Sequence, residues 1–287
     1  MLQVNDLHKA YGQTTIIQQA SFSVPQGSIT AFVGANGAGK TTVMKSLLGF
    51  TPFTGSIEVD GEPVVFGTTH PAIGYLPDVP AFYHFYTAPQ YLAFCQQLRG
   101  VKDSERIATL LQRVGLADAT QKIGHYSRGM RQRLGMAQAL LHRPKLVICD
   151  EPTSALDPQG REAILHILKS SQHETTVLFS THILAEAEAI SDRLLVLHNK
   201  GIAYEGALPT IASATTYTLT FATIVTLDAR FSAFMPQQVN GQWQVTVPDE
   251  AARAKLLQTL LLAGYIPTAM QPVARSLQHF LTEVTSC

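Results

Sequence analysis

Residues 29–42 read Ile-Thr-Ala-Phe-Val-Gly-Ala-Asn-Gly-Ala-Gly-Lys-Thr-Thr, an apolar run followed directly by a glycine-rich loop. The loop matches G-x-x-x-x-G-K-[ST], and helical periodicity follows it, which is the context that a phosphate-binding loop requires. Glycines let successive N–H groups face one anion, and the next helix points its positive end there. This stretch predicts a nucleotide-phosphate site made of Gly34, Ala35, Asn36, Gly37, Ala38, Gly39, Lys40, Thr41 and Thr42.

Two side chains of this loop, Lys40 and Thr41, have expected chemical roles. Lys40 is expected to reach the β- and γ-phosphates, where it would also assist catalysis, and the Thr41 hydroxyl to ligate Mg²⁺. The motif alone is equally typical of kinases, GTPases and ATPases. A glycine-rich turn that matches by chance is the alternative, and the strand and helix on either side argue against it.

A second apolar strand, residues 145–149, ends in the carboxylates of Asp150 and Glu151. We expect Asp150 to hold the metal through water and Glu151 to act as general base for the attacking water. The alternative is an ordinary acidic strand end or helix cap. A third apolar strand, 175–180, leads to His182, which could sense the γ-phosphate and orient the water, although the chain has nine other histidines.

The composition excludes several classes of protein. The chain has 287 residues, 21 basic and 21 acidic, with 46% hydrophobic and 15% charged residues, which excludes a disordered chain. The zero net charge gives no electrostatic reason to expect a nucleic-acid partner. Three widely spaced cysteines, Cys95, Cys149 and Cys287, form no disulfide or zinc pattern and favour a reducing compartment.

The N-terminus lacks an apolar signal core, and the most apolar later stretch, 256–266, is interrupted by polar residues. We therefore expect a cytoplasmic protein whose contact with a membrane, if any, passes through a partner.

Strands alternate with helices, which predicts the α/β class with a mostly parallel, helix-covered sheet. Helical spacing dominates about 79–145, which indicates a helical insert, and Ser104 is expected to cap one of its helices. Composition shifts after residue 206, and 209–216 is small and polar, as a linker would be. We expect a main domain over 1–207 and a small α+β accessory domain over 212–287.

Together these motifs resemble the ATP-binding subunit of an ABC transporter over residues 1–207. The resemblance implies the P-loop fold of that family, with an antiparallel β subdomain, and Mg²⁺ and ATP as cofactors. It identifies Tyr11 as the aromatic that stacks on adenine and raises His182 to the switch histidine. It also places the family signature at Tyr126-Ser-Arg-Gly-Met130, where Ser127, Arg128, Gly129 and Met130 would bind a γ-phosphate, and the D-loop at 154–157, ending in Asp157.

The chain departs from the family pattern in the signature and in the Q-loop. Arg128 stands where the family has a glycine, and Met130 where it has glutamine. Asp78 occupies the glutamine position of the Q-loop; it is one methylene shorter and normally charged. Asp78 could still approach Mg²⁺ or the attacking water.

The resemblance also implies a mechanism and partners. Two ATPase subunits, most simply a homodimer, would pair head to tail with two ATP at their interface and drive an integral membrane subunit on a separate chain. The protein would then lie on the inner face of the cell membrane. The signature, the Q-loop form and the C-terminal segment 276–285 resemble exporters of drugs, antibiotics or peptides. The alternatives are an importer subunit and a soluble ABC ATPase acting on nucleic acid or ribosomes.

Four aromatic residues occur within positions 82–86, directly after the Q-loop: Phe82, Tyr83, Phe85 and Tyr86. They fit either core packing of the helical insert or a docking groove for a short cytoplasmic helix of the membrane partner.

Overall fold

The computed structural model describes residues 1–208, 215–222, 225–239, 241–273 and 277–285. Its contacts divide the chain into two compact units, Met1–Gly206 and Ala207–Cys287. Residues 209–214 of the predicted linker and Cys287 lie outside the described residues.

The first unit is built on a six-stranded sheet with the order β10-β9-β3-β8-β7-β6. The pairs β3–β8, β3–β9, β7–β8 and β6–β7 are parallel. Strands β3, β7 and β8 are buried at every position, which explains why they read as apolar runs without alternation. The strands span Ile29–Val33 (β3), Ile73–Leu76 (β6), Leu146–Cys149 (β7), Thr176–Thr181 (β8), Arg193–His198 (β9) and Gly201–Ala207 (β10).

A second, antiparallel sheet has the order β2-β1-β4-β5. Its strands are Leu2–Tyr11 (β1), Thr14–Val24 (β2), Thr54–Val59 (β4) and Glu62–Pro63 (β5). Along β1 and β2 buried and exposed positions largely alternate, as expected for a sheet with one face on the core. Both sheets contribute to one apolar core, which includes Leu7, Ile17, Phe32, Met44 and Leu178.

Six α-helices complete the first unit: Lys40–Leu47 (α1), Ala88–Leu98 (α2), Ser104–Arg113 (α3), Arg128–Leu140 (α4), Pro158–Ser171 (α5) and Leu184–Ile190 (α6). Helices α2, α3 and α4 form the helical insert. The prediction of Ser104 as N-cap was wrong. Asp103 is the cap, and its side chain accepts a hydrogen bond from the backbone N of Arg106. A carboxylate caps well because it also complements the helix dipole.

The second unit contains an antiparallel sheet with the order β12-β13-β11-β14. Its elements are Thr215–Phe221 (β11), Gln237–Val239 (β12), Gln242–Val247 (β13), Glu250–Leu262 (α7), Pro267–Val273 (β14) and Leu277–Thr285 (α8). Its core includes Leu219, Phe231, Val245 and Leu256, with Trp243 packed against it. The predicted linker extends too far, because β11 begins at Thr215 and so includes the last two residues of the 209–216 segment.

Across the described ranges, none of the helices combines the length and the apolar character that crossing a membrane requires.

Candidate functional site

The phosphate loop connects β3 to α1, and its backbone requires glycine at two positions. Gly37 has φ 78° and Gly39 has φ 111°, values that other residues adopt only with strain. A Cβ on Gly39 would lie 2.9 Å from Ile17 Cδ1 and 3.0 Å from Ile16 Cγ2. Helix α1 therefore begins against β2, with a cap residue that has no side chain to occupy its N-terminal N–H groups. These groups are suited to an anion.

Lys40 lies inside the loop and is only 5% exposed. Its Nζ donates hydrogen bonds to the backbone oxygens of Gly34 at 2.8 Å and Ala35 at 3.2 Å. The same nitrogen lies 3.6 Å from Glu151 Oε1. The ammonium thus joins the loop to the acidic end of β7, two segments that are 110 positions apart in the sequence.

Asp150 and Glu151 follow β7 and are held by the neighbouring strand β8. Ser180 Oγ donates to Asp150 Oδ1 at 2.8 Å and accepts from the backbone N of Glu151 at 2.8 Å. Asp150 is 4% exposed, whereas the Glu151 side chain is 23% exposed. Glu151 also has φ 44°, a left-handed conformation that turns the chain sharply after Asp150. The buried acid and the accessible acid are therefore distinct in environment.

Glu151 has cationic or titratable neighbours on both of its carboxylate oxygens. Oε1 faces Lys40, and Oε2 lies 3.2 Å from His182 Nδ1. The His182 side chain is 44% exposed, so the imidazole and the carboxylate both reach solvent. A carboxylate placed between an ammonium and an imidazole can take a proton from a water molecule while the histidine orients that water.

Thr41 and Asp150 offer the donor set that Mg²⁺ prefers. Mg²⁺ binds hard oxygens, usually takes one or two protein ligands, and completes its shell with waters and substrate phosphates. In the described residues no group of three or more His, Cys, Asp and Glu could hold a metal, so an all-protein cage is not built there. One threonine hydroxyl and one buried carboxylate beside the phosphate loop fit a magnesium ion that arrives with a nucleotide.

The signature residues lie at the start of α4. Ser127 is the N-cap, and its Oγ accepts a hydrogen bond from the backbone N of Met130 at 3.2 Å. A cleft of about 480 Å³ brings 127–130 together with D-loop residues 155–157. None of the residues of the phosphate loop lines this cleft. Asp157 caps α5, with Oδ1 accepting from the backbone N of Gly160 at 3.1 Å.

Two of the departures from the family pattern contact each other. Arg128 Nη2 lies 3.4 Å from Asp78 Oδ1, and both side chains are nearly half exposed. The arginine of the signature is therefore paired with the aspartate of the Q-loop in the same chain. Asp78 is predicted to approach Mg²⁺, and its ion pair with Arg128 would compete with Mg²⁺ for the same carboxylate.

Tyr11 ends β1 and is 51% exposed. Lys9 is on the same face of the strand, since side chains two residues apart share a face. Its Nζ lies 4.5 Å from the centre of the Tyr11 ring, a cation–π contact. Tyr11 pairs with Thr14 of β2, the strand whose isoleucines contact Gly39. The hairpin therefore carries the aromatic ring on a strand anchored to the phosphate loop.

The aromatic segment after the Q-loop forms a cluster with α2. Tyr83 packs on Tyr86 and Phe94 with ring centres 6.2 Å and 5.9 Å apart, and Phe82 packs on Tyr91 at 5.1 Å. Tyr83 is nevertheless 54% exposed and Phe85 62% exposed. The segment thus packs on the insert and also presents aromatic surface, so both interpretations of its pattern describe part of it.

Sequence reasoning missed four polar residues around the site: Ser180, Thr153, Thr181 and Glu186. The first three are nearly fully buried hydroxyls that bond to Asp150, Glu151 or Glu186. The sequence did contain a signal for Ser180 and Thr181. Both end a buried apolar strand, where a hydroxyl group needs a hydrogen-bond partner.

The chain is similar to known proteins in both sequence and fold. The family model described as ABC transporter matches residues 17–154. The uncharacterized ABC transporter ATP-binding protein YxlF of Bacillus subtilis (strain 168) is 43% identical over 213 residues, which are 72% of this chain and 71% of that protein. The bacitracin transport ATP-binding protein BcrA of Bacillus licheniformis is 38% identical over 204 residues, with coverage of 69% and 67%. A solved structure described as an ATP-binding subunit of an ABC transporter has a TM-score of 0.67 at 31% identity and covers 74% of this chain and 92% of its own.

Proposed function

The chain belongs to the ABC transporter family of ATP-binding, ATP-hydrolysing subunits, and from this premise we propose that it is the motor of an exporter of drugs, antibiotics or peptides. Residues 1–207 would be the ATPase domain. The observation that carries the proposal is the position of Glu151, between Lys40 at 3.6 Å and His182 at 3.2 Å beside the phosphate loop. The relative named for bacitracin transport supports the class of cargo. No contact of the site favours the nucleic-acid alternative.

The site residues have the following proposed roles in hydrolysis. The loop N–H groups and Lys40 hold the phosphates, and Tyr11 stacks on the base. When bound, Mg²⁺ would neutralise charge on the phosphates, with Thr41 and Asp150 as its protein partners. Glu151 takes a proton from a water oriented by His182; the water oxygen bonds to the γ-phosphorus as the bond to the ADP oxygen breaks.

We assign the second half of each site to a partner copy. Ser127 and Gly129 stand at a helix N-terminus, which suits a phosphate, but their cleft contains no residue of the phosphate loop. A head-to-tail homodimer would place this cleft of one protomer over the nucleotide of its partner. Arg128, Met130 and Asp157 would then also lie at the shared interface.

Mixing two inactive variants tests the shared site. Lys40→Ala removes the loop cation, and Ser127→Arg blocks the signature cleft, so each purified homodimer should hydrolyse ATP poorly. A mixed dimer contains one site with both wild-type halves. The proposal predicts that mixing restores a measurable part of the wild-type ATPase rate. If the mixture is no more active than its components, the two halves of the site do not come from different copies.

The aromatic cluster of Phe82, Tyr83, Phe85 and Tyr86 is our proposed contact for the membrane subunit. Exposed aromatics beside polar surface are typical interface anchors. Such a contact would place the protein on the inner face of the cell membrane. Tyr83→Ala should lower partner-stimulated ATPase while leaving the basal rate unchanged, and Phe82→Ala should do the same. Stimulation that survives both substitutions would assign the cluster to packing of the insert.

A further inference from the structure

Glu186 is a buried carboxylate on α6 that lies outside the motifs of the ATPase site. It is 2% exposed. Its Oε2 accepts hydrogen bonds from two hydroxyls, Thr181 Oγ1 at 2.7 Å and Thr153 Oγ1 at 2.9 Å. Its Oε1 lies 3.4 Å from Arg161 Nε on α5. Burial of a carboxylate costs free energy unless polar partners compensate it, and here the partners are two threonine hydroxyls and the Arg161 side chain.

The first threonine fixes the backbone around the switch histidine. Thr181 directly precedes His182, and its Oγ1 donates to Glu186 while accepting from the backbone N of Ile183 at 2.9 Å. The hydroxyl therefore holds the chain on both sides of His182. The position of the imidazole is consequently linked to Glu186 Oε2.

The second threonine belongs to the turn that carries the proposed general base. The backbone O of Glu151 accepts from the N of Ser154 at 3.0 Å, so Thr153 lies inside this turn. Glu151 is also held in a left-handed conformation, φ 44°, which the surroundings must stabilise. Bonding of the Thr153 hydroxyl to Glu186 provides one such restraint.

We propose that Glu186 is a positioning residue for ATP hydrolysis: one carboxylate oxygen joins the segments that carry Glu151 and His182. The 3.2 Å contact between those two side chains depends on the register of both segments. Through Arg161 the same carboxylate also contacts α5, the helix that Asp157 caps. This inference rests on the proposed catalytic roles of Glu151 and His182.

Kinetics of variants at Glu186 and Thr181 test the inference. Glu186→Ala should lower kcat by about tenfold to a hundredfold, because small displacements of catalytic groups have effects of that size. The KM for ATP should change by less than about twofold, since Glu186 contacts no residue of the phosphate loop. Glu186→Gln keeps an oxygen that both hydroxyls can reach and should recover most of kcat. Thr181→Ser keeps the hydroxyl and should retain most of kcat, whereas Thr181→Val removes it and should lower kcat as Glu186→Ala does.

A double-mutant cycle separates positioning from a merely structural role. If Glu186 acts by aligning His182 with Glu151, Glu186→Ala should lower kcat by a clearly smaller factor in a His182→Ala background than in wild type. The matched control is Ile190→Ala, a buried apolar truncation on the same helix, which should lower the Tm without lowering kcat of the folded protein. Losses that multiply, or a Glu186→Ala variant that only loses Tm like the control, overturn the inference. An unchanged kcat in His182→Ala alone would refute the proposed role of His182, and this inference with it.

Discussion

Replacing Glu151 by glutamine tests the proposed chemistry most sharply. Glutamine has nearly the same volume, so contacts with Lys40 and His182 at 3.6 Å and 3.2 Å remain sterically possible. It removes the group that accepts the proton. Loss of a general base lowers kcat by about 10²–10⁴-fold, which corresponds to roughly 3–5 kcal/mol of activation free energy. ATP affinity should stay the same or rise, because one negative charge beside the polyphosphate disappears.

The assay is phosphate release at saturating Mg-ATP, with binding of a fluorescent ATP analogue measured in parallel. Glu162→Gln, an exposed acid on α5, is the matched control and should match wild type in both measurements. A kcat within about threefold of wild type would refute Glu151 as the base. A loss of binding equal to the loss of hydrolysis would show instead that Glu151 only maintains the loop.

Three further predictions concern the phosphate loop, the half-buried His142, and the Asp78–Arg128 pair. Gly39→Ala should lower the free energy of unfolding by about 1–3 kcal/mol and reduce ATP binding, because it adds a steric clash to backbone strain. The control is Gly67→Ala, where the glycine is also left-handed but has open space around it. Its free energy of unfolding should fall by less than that of Gly39→Ala in the same thermal unfolding experiment. Burial, then the charge of Arg99, lowers the pKa of His142 below 6.5, so its neutral form is favoured in the folded state. Stability should therefore fall as pH drops below about 6.5, and His142→Gln should reduce that fall in Tm. Asp78→Arg should reduce ATPase, and Arg128→Asp in the same chain should restore part of it if their pairing matters; no restoration would show that the contact is incidental.

The phosphate loop and the acidic strand end could be predicted because their chemistry is local. Spacing of glycines, Lys40 and Thr41 within nine residues specifies a loop whatever the rest of the chain does. The roles of Glu151 and His182 were each predicted from an apolar strand that ends in a polar residue, and the structure places the two side chains 3.2 Å apart. The order of the motifs along the chain predicted the family, and comparison with known proteins confirmed that prediction.

The polar residues that hold the site could not be predicted, because they depend on register between strands. Ser180 meets Asp150 because Cys149 pairs with Phe179 across β7 and β8. Glu186 reaches Thr153 only after α6 has packed on the sheet. These contacts join positions about thirty residues apart, and no local periodicity reports them.

In the second unit, β14 was missed for a different reason. Prolines at 267 and 272 argue against a strand, because proline cannot donate to a ladder. Among the described strands of this unit, β14 lies at the edge of the sheet beside β11, where a missing donor is tolerated. The short strand β12 lies at the opposite edge, and its three residues carry too little pattern to be recognised.

The central claim is that this ATPase drives a membrane protein, and the direct test is purification of tagged Glu151→Gln protein from detergent-solubilised membranes with Mg-ATP. Our account predicts a multi-span membrane protein in stoichiometric amount with the tagged protein and none in an untagged control. Ribosomes or nucleic acid in its place, with no membrane protein, would contradict the transporter assignment while leaving the ATPase site intact.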